Sequence, residues 1–359
     1  MINELEVVVG IFEIFSSLLG DYSNTQVKNN TTTYNNSNIT IDDLFFEAAN
    51  YEKEKEYQLA IDSYSNIILL SNVEKEMLYL SCLGRSFAYS EMGMDQEALS
   101  DLSLAYSYGF RNDFILHYNR GLTYNKLEQF NNALIDFNKA IKLNDNFSMA
   151  YSDRGNAFEG LGNYKDALTD FNKAISINPN NDIAYDNRGT LHVELELYRE
   201  ALMDYNKAID INSTSSEHYY NRGILYRKAQ ELEQAKNDFT NAIKFNSNFW
   251  QAYYNRGVIY IILKEYKEAV NDFSSAININ PNNKESYNNK GHSYYELGMY
   301  QQAIDNCNLA IRLDSDFGMA YETRGQAKKE LGLNFCDDYK KACNLGYTEA
   351  CSMHIEECK

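Results

Sequence analysis

A glycine returns every 34 residues along most of this chain. Gly121, Gly155, Gly189, Gly223, Gly257, Gly291 and Gly325 stand in strict register, with no insertion between the first and the last. The same text surrounds them, as Tyr-Tyr-Asn-Arg-Gly at 219–223 and 253–257 and Tyr-Asn-Asn-Lys-Gly at 287–291. Each unit later carries Ala-x3-Phe-x2-Ala-Ile, as in Ala133, Phe137, Ala140 and Ile141, and again in Ala269, Phe273, Ala276 and Ile277. A fixed period of this size means a stack of one repeated supersecondary unit.

With the glycine numbered as position 8, position 4 is Tyr in most repeats (Tyr151, Tyr185, Tyr219, Tyr253, Tyr287, Tyr321). Position 11 is usually aromatic (Tyr124, Phe158, Tyr226, Tyr260, Tyr294). Spacings of 3, 4 and 7 put positions 4, 8 and 11 on one face of a helix, which is expected to be the core face. Positions 20, 24 and 27 (Ala167, Phe171, Ala174) make a second such face, after a turn near position 15 where Gly162, Gly298 and Gly332 occur. Each repeat is therefore expected to be a helical hairpin. A glycine inside a helix costs about 1 kcal/mol relative to Ala. Seven of them are tolerable only where the missing Cβ lets two helices approach closely.

The pattern resembles the tetratricopeptide repeat family, whose consensus places aromatic, Gly, Tyr, Ala, Phe and Ala residues at these positions. The resemblance covers residues 41–350. It departs from the family near position 32, where Pro appears only as Pro179 and Pro281, and at position 7, which is Arg or Lys in place of Leu. It implies an all-α fold, a right-handed α-solenoid of about nine hairpins with a C-terminal capping helix. Repeats are expected to start near 41, 79, 114, 148, 182, 216, 250, 284 and 318, the last with a shortened second helix. Residues 351–359 end the cap. The first two repeats are divergent, with Ala48 and Ser86 at position 8.

Ahead of the repeats, Ile2, Leu5, Val9, Phe12, Phe15 and Leu19 have helical spacing, so 1–20 is expected to be a short amphipathic helix. Residues 21–40 are rich in Asn and Thr and read as a disordered linker. A further expectation is that helix 2–19 folds back into the groove of the solenoid. The apolar centre of the first 20 residues lacks a basic flank and carries Glu4, Glu6 and Glu13, unlike a secretory signal. No apolar run is long enough to cross a bilayer. A cytoplasmic setting is expected.

Charge bounds the partners. The 359 residues carry a net charge of −18. Phosphate binding needs clustered Lys and Arg, so nucleic acid is excluded and basic or neutral protein segments are favoured. No phosphate loop, nucleophile elbow or HExxH occurs. The five His fall on different repeat positions, and about 40 residues outside the repeats are too few for a catalytic domain. No enzymatic activity, cofactor or metal is expected.

Arg at position 7 recurs with Asp at position 23: Arg85/Asp101, Arg120/Asp136, Arg154/Asp170, Arg188/Asp204, Arg222/Asp238, Arg256/Asp272 and Arg324/Asp338. Where Arg becomes Lys290, Asp becomes Asn306, and in the first repeat the Arg and the Asp are lost together, replaced by Glu47 and Ser63. The covariation predicts a ladder of structural ion pairs, partly buried. Its rival is a row of arginines binding a ligand carboxylate.

In the family, positions 2, 5, 6, 9, 12 and 13 face the concave groove. Here position 6 gives Asn119, Asn187, Asn221, Asn255 and Asn289, interrupted by Asp153 and Thr323. A side-chain amide both donates and accepts, so it suits an extended peptide backbone; the plainer reading is common family text. Apolar groove positions concentrate as Tyr220, Ile224, Tyr254, Val258, Ile261 and Ile262, with Trp250 beside them. An aromatic anchor with aliphatic flanks is the composition of a binding hot spot, though core packing explains such stripes more often. The chaperone-tail carboxylate clamp of some relatives needs Lys at position 5. That position reads Tyr118, Ser152, Asp186, Tyr220, Tyr254, Asn288 and Glu322, so no clamp is expected.

Four of six cysteines crowd the C-terminus as Cys336, Cys343, Cys351 and Cys358. In an intracellular protein they are expected to be reduced and buried. Two alternatives stand beside that: a bridge between Cys343 and Cys351 across Gly346, similar to the C-x7-C bridges of secreted relatives, or a zinc site on Cys351, His354 and Cys358. The function implied is a protein-binding scaffold or adaptor using the groove. Its alternatives are a structural subunit using its edges and convex face, and a regulatory subunit of another chain's enzyme.

Overall fold

The computed structural model of the protein describes residues 40–358, and every regular element among them is an α-helix, nineteen in all. The expected helix 2–19, its fold-back into the groove and nearly all of the linker lie outside the described residues. Two compact bodies divide between Leu195 and Glu196. The first holds the pairs Ile41–Lys53 with Tyr57–Leu69, Lys75–Glu91 with Asp95–Ser107, Phe114–Lys126 with Phe130–Leu143 and Ser148–Gly160 with Tyr164–Ile177, then helix Asp182–Glu194. The second opens on helix Tyr198–Ile211. It continues with Ser216–Lys228 and Leu232–Phe245, Trp250–Ile262 and Tyr266–Ile279, Lys284–Glu296 and Tyr300–Leu313, and Gly318–Glu330 and Cys336–Asn344. Helix Thr348–Glu357 closes it. Within each body every hairpin packs on itself and on the next.

The second repeat's first helix starts at Lys75, ahead of the expected 79, and runs for 17 residues where 13 is usual. The last repeat's second helix has only 9 residues. Local chemistry starts several first helices: Asp113, Asn181, Ser215 and Asn283 each accept a hydrogen bond from a backbone N–H of the opening turn. Between the helices of a hairpin, position 15 is left-handed in every repeat. Gly takes it at Gly93, Gly162, Gly298 and Gly332, but Lys55, Glu128, Glu196, Gln230 and Lys264 adopt it too. For those five the conformation costs on the order of 1 kcal/mol each, so the tight reversal is imposed by helix packing.

The repeating glycine is explained by what faces it. A Cβ at Gly155 would stand 2.6 Å from Cε1 of Phe171, and one at Gly223 or Gly257 would stand 2.8 or 2.9 Å from Phe239 or Phe273. The position-24 ring thus packs directly against the first helix, and its own helix is held close by fully buried alanines at positions 20 and 27.

The expected core face is corrected. Positions 3 and 10 flank the glycine in the interior, as in Ala150 and Ala157, Ala184 and Leu191, or Ala252 and Ile259, all fully buried. The aromatics of positions 4 and 11 stand beside that face, mostly half-buried, and bracket the position-7 cation. The Arg222 guanidinium lies 5.7 Å from the ring centres of both Tyr219 and Tyr226, and Arg256 lies 5.8 and 5.9 Å from those of Tyr253 and Tyr260. A cation over a ring face is attracted by the ring quadrupole, which gives these tyrosines a role that burial of apolar surface does not.

Candidate functional site

The position-7 arginines define the frame on which any site is carried. Arg85, Arg120, Arg154, Arg222, Arg256 and Arg324 each donate Nε and Nη2 to both oxygens of one carboxylate in the facing helix, at 2.5–3.0 Å. Their acceptors are, in the same order, Asp101, Asp136, Asp170, Asp238, Asp272 and Asp338. The remaining amine reaches back one repeat: Arg154 to Asn138, Arg222 to Asn206, Arg256 to Thr240 and Arg324 to Asn308, at 2.5–3.0 Å. One guanidinium therefore ties its own hairpin and docks it on the one before. Arg188 and Asp204 fall in different bodies; Arg188 donates to Asn172 at 2.5 Å within its own.

Within each pair the carboxylate is the more deeply buried member. Asp170 and Asp238 are only 4% and 3% exposed, whereas the side chains of Arg154 and Arg222 each keep 18%. Position 23 faces inward on the second helix, beside the buried ring at position 24, and the arginine reaches down to it from the surface. Asp170 and Asp238 are thus interior groups with both oxygens occupied, and as site residues they offer a ligand nothing to touch.

The carboxylates also differ in their surroundings. Burial pushes Asp272 up, and the guanidinium of Arg256 offsets that only in part. At Asp136 burial acts the same way, but hydrogen bonds from His117 and Arg120 outweigh it and hold the carboxyl below its usual range. His117 Nδ1 is 2.8 Å from Asp136.

A second ladder links position 5 of one repeat to position 6 of the next. Tyr118 donates its hydroxyl to Asp153 at 2.8 Å. Asn187 donates to Ser152 Oγ at 3.3 Å, Asn255 to Tyr220 Oη at 3.2 Å, and Asn289 to Tyr254 Oη at 3.3 Å. Asn255 spends its other N–H on the Gln251 carbonyl at 2.9 Å, which leaves its Oδ1 to accept. Asn119 follows a repeat with Leu83 at position 5 and has no hydroxyl there to meet. Asn221 is half-buried in the second body. Burial drives the Asp153 carboxyl to about 7, against the pull of the Tyr118 hydroxyl.

Tyr220 and Tyr254 come together with Trp250 around one cleft of ≈ 290 Å³, whose remaining walls are Gln251, Asn255, Asn283 and Glu285. The tyrosine rings are backed by the core: Tyr220 lies 5.8 Å from Phe239 and 4.8 Å from Phe249, and Tyr254 lies 5.8 Å from Phe273. Ile224 packs with Phe239 and Ile259 beneath the surface. Val258 and Ile261 are half-buried and Ile262 is exposed, and none of the three lines the cleft. Gln251 and Glu285 occupy position 2, which the family resemblance assigns to the groove; Asn283, in the turn before its helix, had no signal in the sequence. Indole, phenol and amide groups with a single carboxylate suit recognition by contact and hydrogen bonding. They include no nucleophile set beside a base.

The C-terminal cysteines correct the expectation of reduced thiols. Cys343 is bonded to Cys351 and Cys336 to Cys358, with Cα separations of 4.5 and 5.6 Å. Gly346, at φ +93°, turns the chain so that Thr348–Glu357 packs back on Cys336–Asn344. Both sulfurs of the considered zinc triad are thereby used. Only Cys82 and Cys307 are free, and both are buried. The outer bridge closes a loop of 22 residues, for which chain-entropy arguments give about 3 kcal/mol. Reduction, which opens the inner bridge as well, is expected to destabilise the last two helices by at least that amount, seen as earlier loss of amide protection at 336–358; unchanged protection in reductant would contradict it.

No helix among the described residues is long and apolar enough to cross a membrane. Family models described as tetratricopeptide repeat match residues 114–147, 148–181, 250–283 and 285–317, and others of the same description match 183–215 and 204–237, together just over half of the chain. No curated protein matches the chain. Among solved structures, the hetero-tetramer Cut9–Hcn1 of the APC/C is similar at 16% identity over 82% of this chain and 57% of that one, with a TM-score of 0.57. PilF of Pseudomonas aeruginosa is similar at 18% identity over 59% of this chain and 97% of that one, with a TM-score of 0.54. YrrB, described as a TPR protein with an unusual peptide-binding site, aligns at 22% identity over 52% of this chain and 97% of that one, with a TM-score of 0.46. At these identities the likeness is one of fold.

Proposed function

Because the chain belongs to the tetratricopeptide repeat family, we propose that it is a protein-binding scaffold whose cleft around Trp250 and Tyr254 seats an extended or helical segment of a partner protein. The observation that carries this reading is the cleft itself: three aromatic side chains and three amides share one concavity with Glu285. Aromatic anchors in partly desolvated pockets are where binding energy concentrates. The amides add donors and acceptors that a peptide backbone can use whatever its sequence. Glu285 and the net charge of −18 favour a basic or neutral segment. No reaction is assigned to the chain.

The two disulfides favour maturation in an oxidising compartment over the cytoplasm. Protein alkylated in denaturant without reductant is then expected to take up label at two thiols, not six.

A random-peptide library panned on the intact protein tests the cleft. The expected consensus is basic or neutral, and Trp250→Ala and Tyr254→Ala are each expected to weaken the selected peptide by about 30-fold, the effect of a hot-spot truncation near 2 kcal/mol. Helix content measured by circular dichroism separates lost contact from lost fold. Unchanged affinity in both folded variants would remove the cleft as the binding site.

A further inference from the structure

The repeat that starts at Lys284 breaks the pattern at one structural position after another. Position 24 is a large ring in its neighbours, Phe273 and Tyr339, and is Cys307 here, so Gly291 faces a sulfur in place of an aromatic face. The charged rung is absent, since Lys290 and Asn306 replace Arg and Asp. Asn306 spends its amide on Gln302 O, 2.8 Å away in its own helix. Ser274, at the position that elsewhere accepts from the next repeat's arginine, donates to Val270 O of its own helix. Lys290 is left half-buried with no ion pair among the described residues, and burial lowers its pKa. Finally, Ser286 Oγ is buried without a hydrogen-bond partner among the described residues where Ala252 and Ala320 stand in the adjacent repeats, and Asn288 Oδ1 is likewise buried and unpartnered two residues on.

Each departure removes cohesion from the same hairpin. A smaller side chain at the centre weakens packing. A missing bidentate pair unties the two helices of the hairpin, the missing third donor unties it from the one before, and unsatisfied polar atoms penalise the closed state against a hydrated open one. Proteins open in contiguous units whose free energies differ, and repeat arrays divide along their repeats. The next repeat is held more firmly, by the Arg324–Asp338 pair and the two disulfides.

We propose that the hairpin Lys284–Glu296 with Tyr300–Leu313 is the pliable wall of the cleft, opening ahead of the rest of its body and so setting the shape the cleft offers a partner. The wall is part of the site through Asn283 and Glu285, and through the Asn289–Tyr254 hydrogen bond of 3.3 Å. The regulatory step rests on the binding reading above; the opening itself does not.

The molecule carries its own reporters. Cys307 sits inside this hairpin and Cys82 inside one that keeps its rung, Arg85 with Asp101, both fully buried. Burial raises both thiols to about 12, so each reacts slowly until its hairpin opens. The single tryptophan, Trp250, lines the cleft. In the intact, oxidised protein treated with excess N-ethylmaleimide, Cys307 is expected to react at least tenfold faster than Cys82, read by peptide mass spectrometry. Blocking Cys307 is expected to shift Trp250 emission. Lys290→Arg with Asn306→Asp restores the rung and should slow Cys307 about tenfold while leaving Cys82 unchanged. Should that pair misfold, Ser286→Ala, the residue of the adjacent repeats, is expected to slow it as well. Equal rates at the two thiols in the native protein would overturn the opening, and fast Cys307 labelling with unchanged Trp250 emission would overturn its control of the cleft. Neither readout uses a partner, so failed peptide binding would count against the binding reading alone.

Discussion

Raising the pH from about 5 to about 9 is expected to cost the first hairpin, Ile41–Lys53 with Tyr57–Leu69, about 3 to 5 kcal/mol of stability. The cause is Glu52. Its side chain is buried where the hairpin closes, it takes a hydrogen bond from the Tyr64 hydroxyl, and Oε1 has no partner among the described residues. Burial penalises the charged form and drives the carboxyl from 4.5 to about 8. The folded hairpin therefore holds a proton that the unfolded chain gives up. A group whose pKa is raised by folding stabilises fully below its unfolded value, and that stabilisation is lost as pH climbs to the folded one. The window is thus 4.5 to about 8, with no further loss above it. Because the hairpin is terminal among the described repeats, the loss should appear as local fraying. Amide exchange of 41–70, corrected for intrinsic rates, is the measurement. Glu52→Gln, which cannot ionise, should abolish the dependence; a dependence that survives in that variant would assign it elsewhere.

Most of the architecture could be read from the chain because it repeats. A period of 34 with Gly and Phe in fixed phase leaves few alternatives to stacked hairpins, and Arg and Asp changing together at Lys290/Asn306 pointed to their contact. How deep the acidic partner lies was not readable: Asp170 and Asp238 are carried into the interior by the ring next to them, although their residue type suggests a surface. What reading by side-chain size missed is the face itself. Positions 3 and 4 differ by only one residue's rotation, and the small residues at 3 and 10 carry little apolar signal beside the tyrosines at 4 and 11. Those tyrosines are large and conspicuous, yet their rings serve the arginine between them as much as the core.

The candidate site was less readable for a related reason. Tyr220, Tyr254 and Trp250 stood out by type, but their convergence on one cleft depends on which repeat's turn brings Asn283 and Glu285 alongside. The asparagines looked available for a peptide because one repeat at a time shows no partner for them. The partners of Asn187, Asn255 and Asn289 lie 35 residues earlier, at position 5 of the preceding repeat, and Asn255 enters the cleft with both N–H groups engaged. Cysteine pairing is set by the compartment as well as by spacing, which residue order alone does not record.

Arg256→Met is expected to destabilise its hairpin by about 3 kcal/mol, and adding Asp272→Leu is expected to recover more than half of that loss. Alone, the first change leaves the Asp272 carboxylate, whose side chain is 7% exposed, without its two charge-assisted hydrogen bonds of 2.7 and 2.8 Å. Removing one partner of a buried pair leaves an uncompensated charge; replacing both with apolar groups of similar size removes the penalty together with the attraction. Methionine keeps part of the stem packed between Tyr253 and Tyr260, so the cycle reports the charges more than the volume. Acidity supplies an internal control. Burial already raises Asp272 with the guanidinium present, so losing Arg256 should raise it further, and the variant's deficit should shrink as pH falls and the carboxyl takes up a proton. Urea unfolding at neutral and mildly acidic pH gives both comparisons. The chain already contains a related exchange, Lys290 with Asn306, where the buried carboxylate is absent from the rung that has lost its guanidinium. If the double variant were less stable than Arg256→Met alone, the rung would be stabilising through something other than the balance of two buried charges.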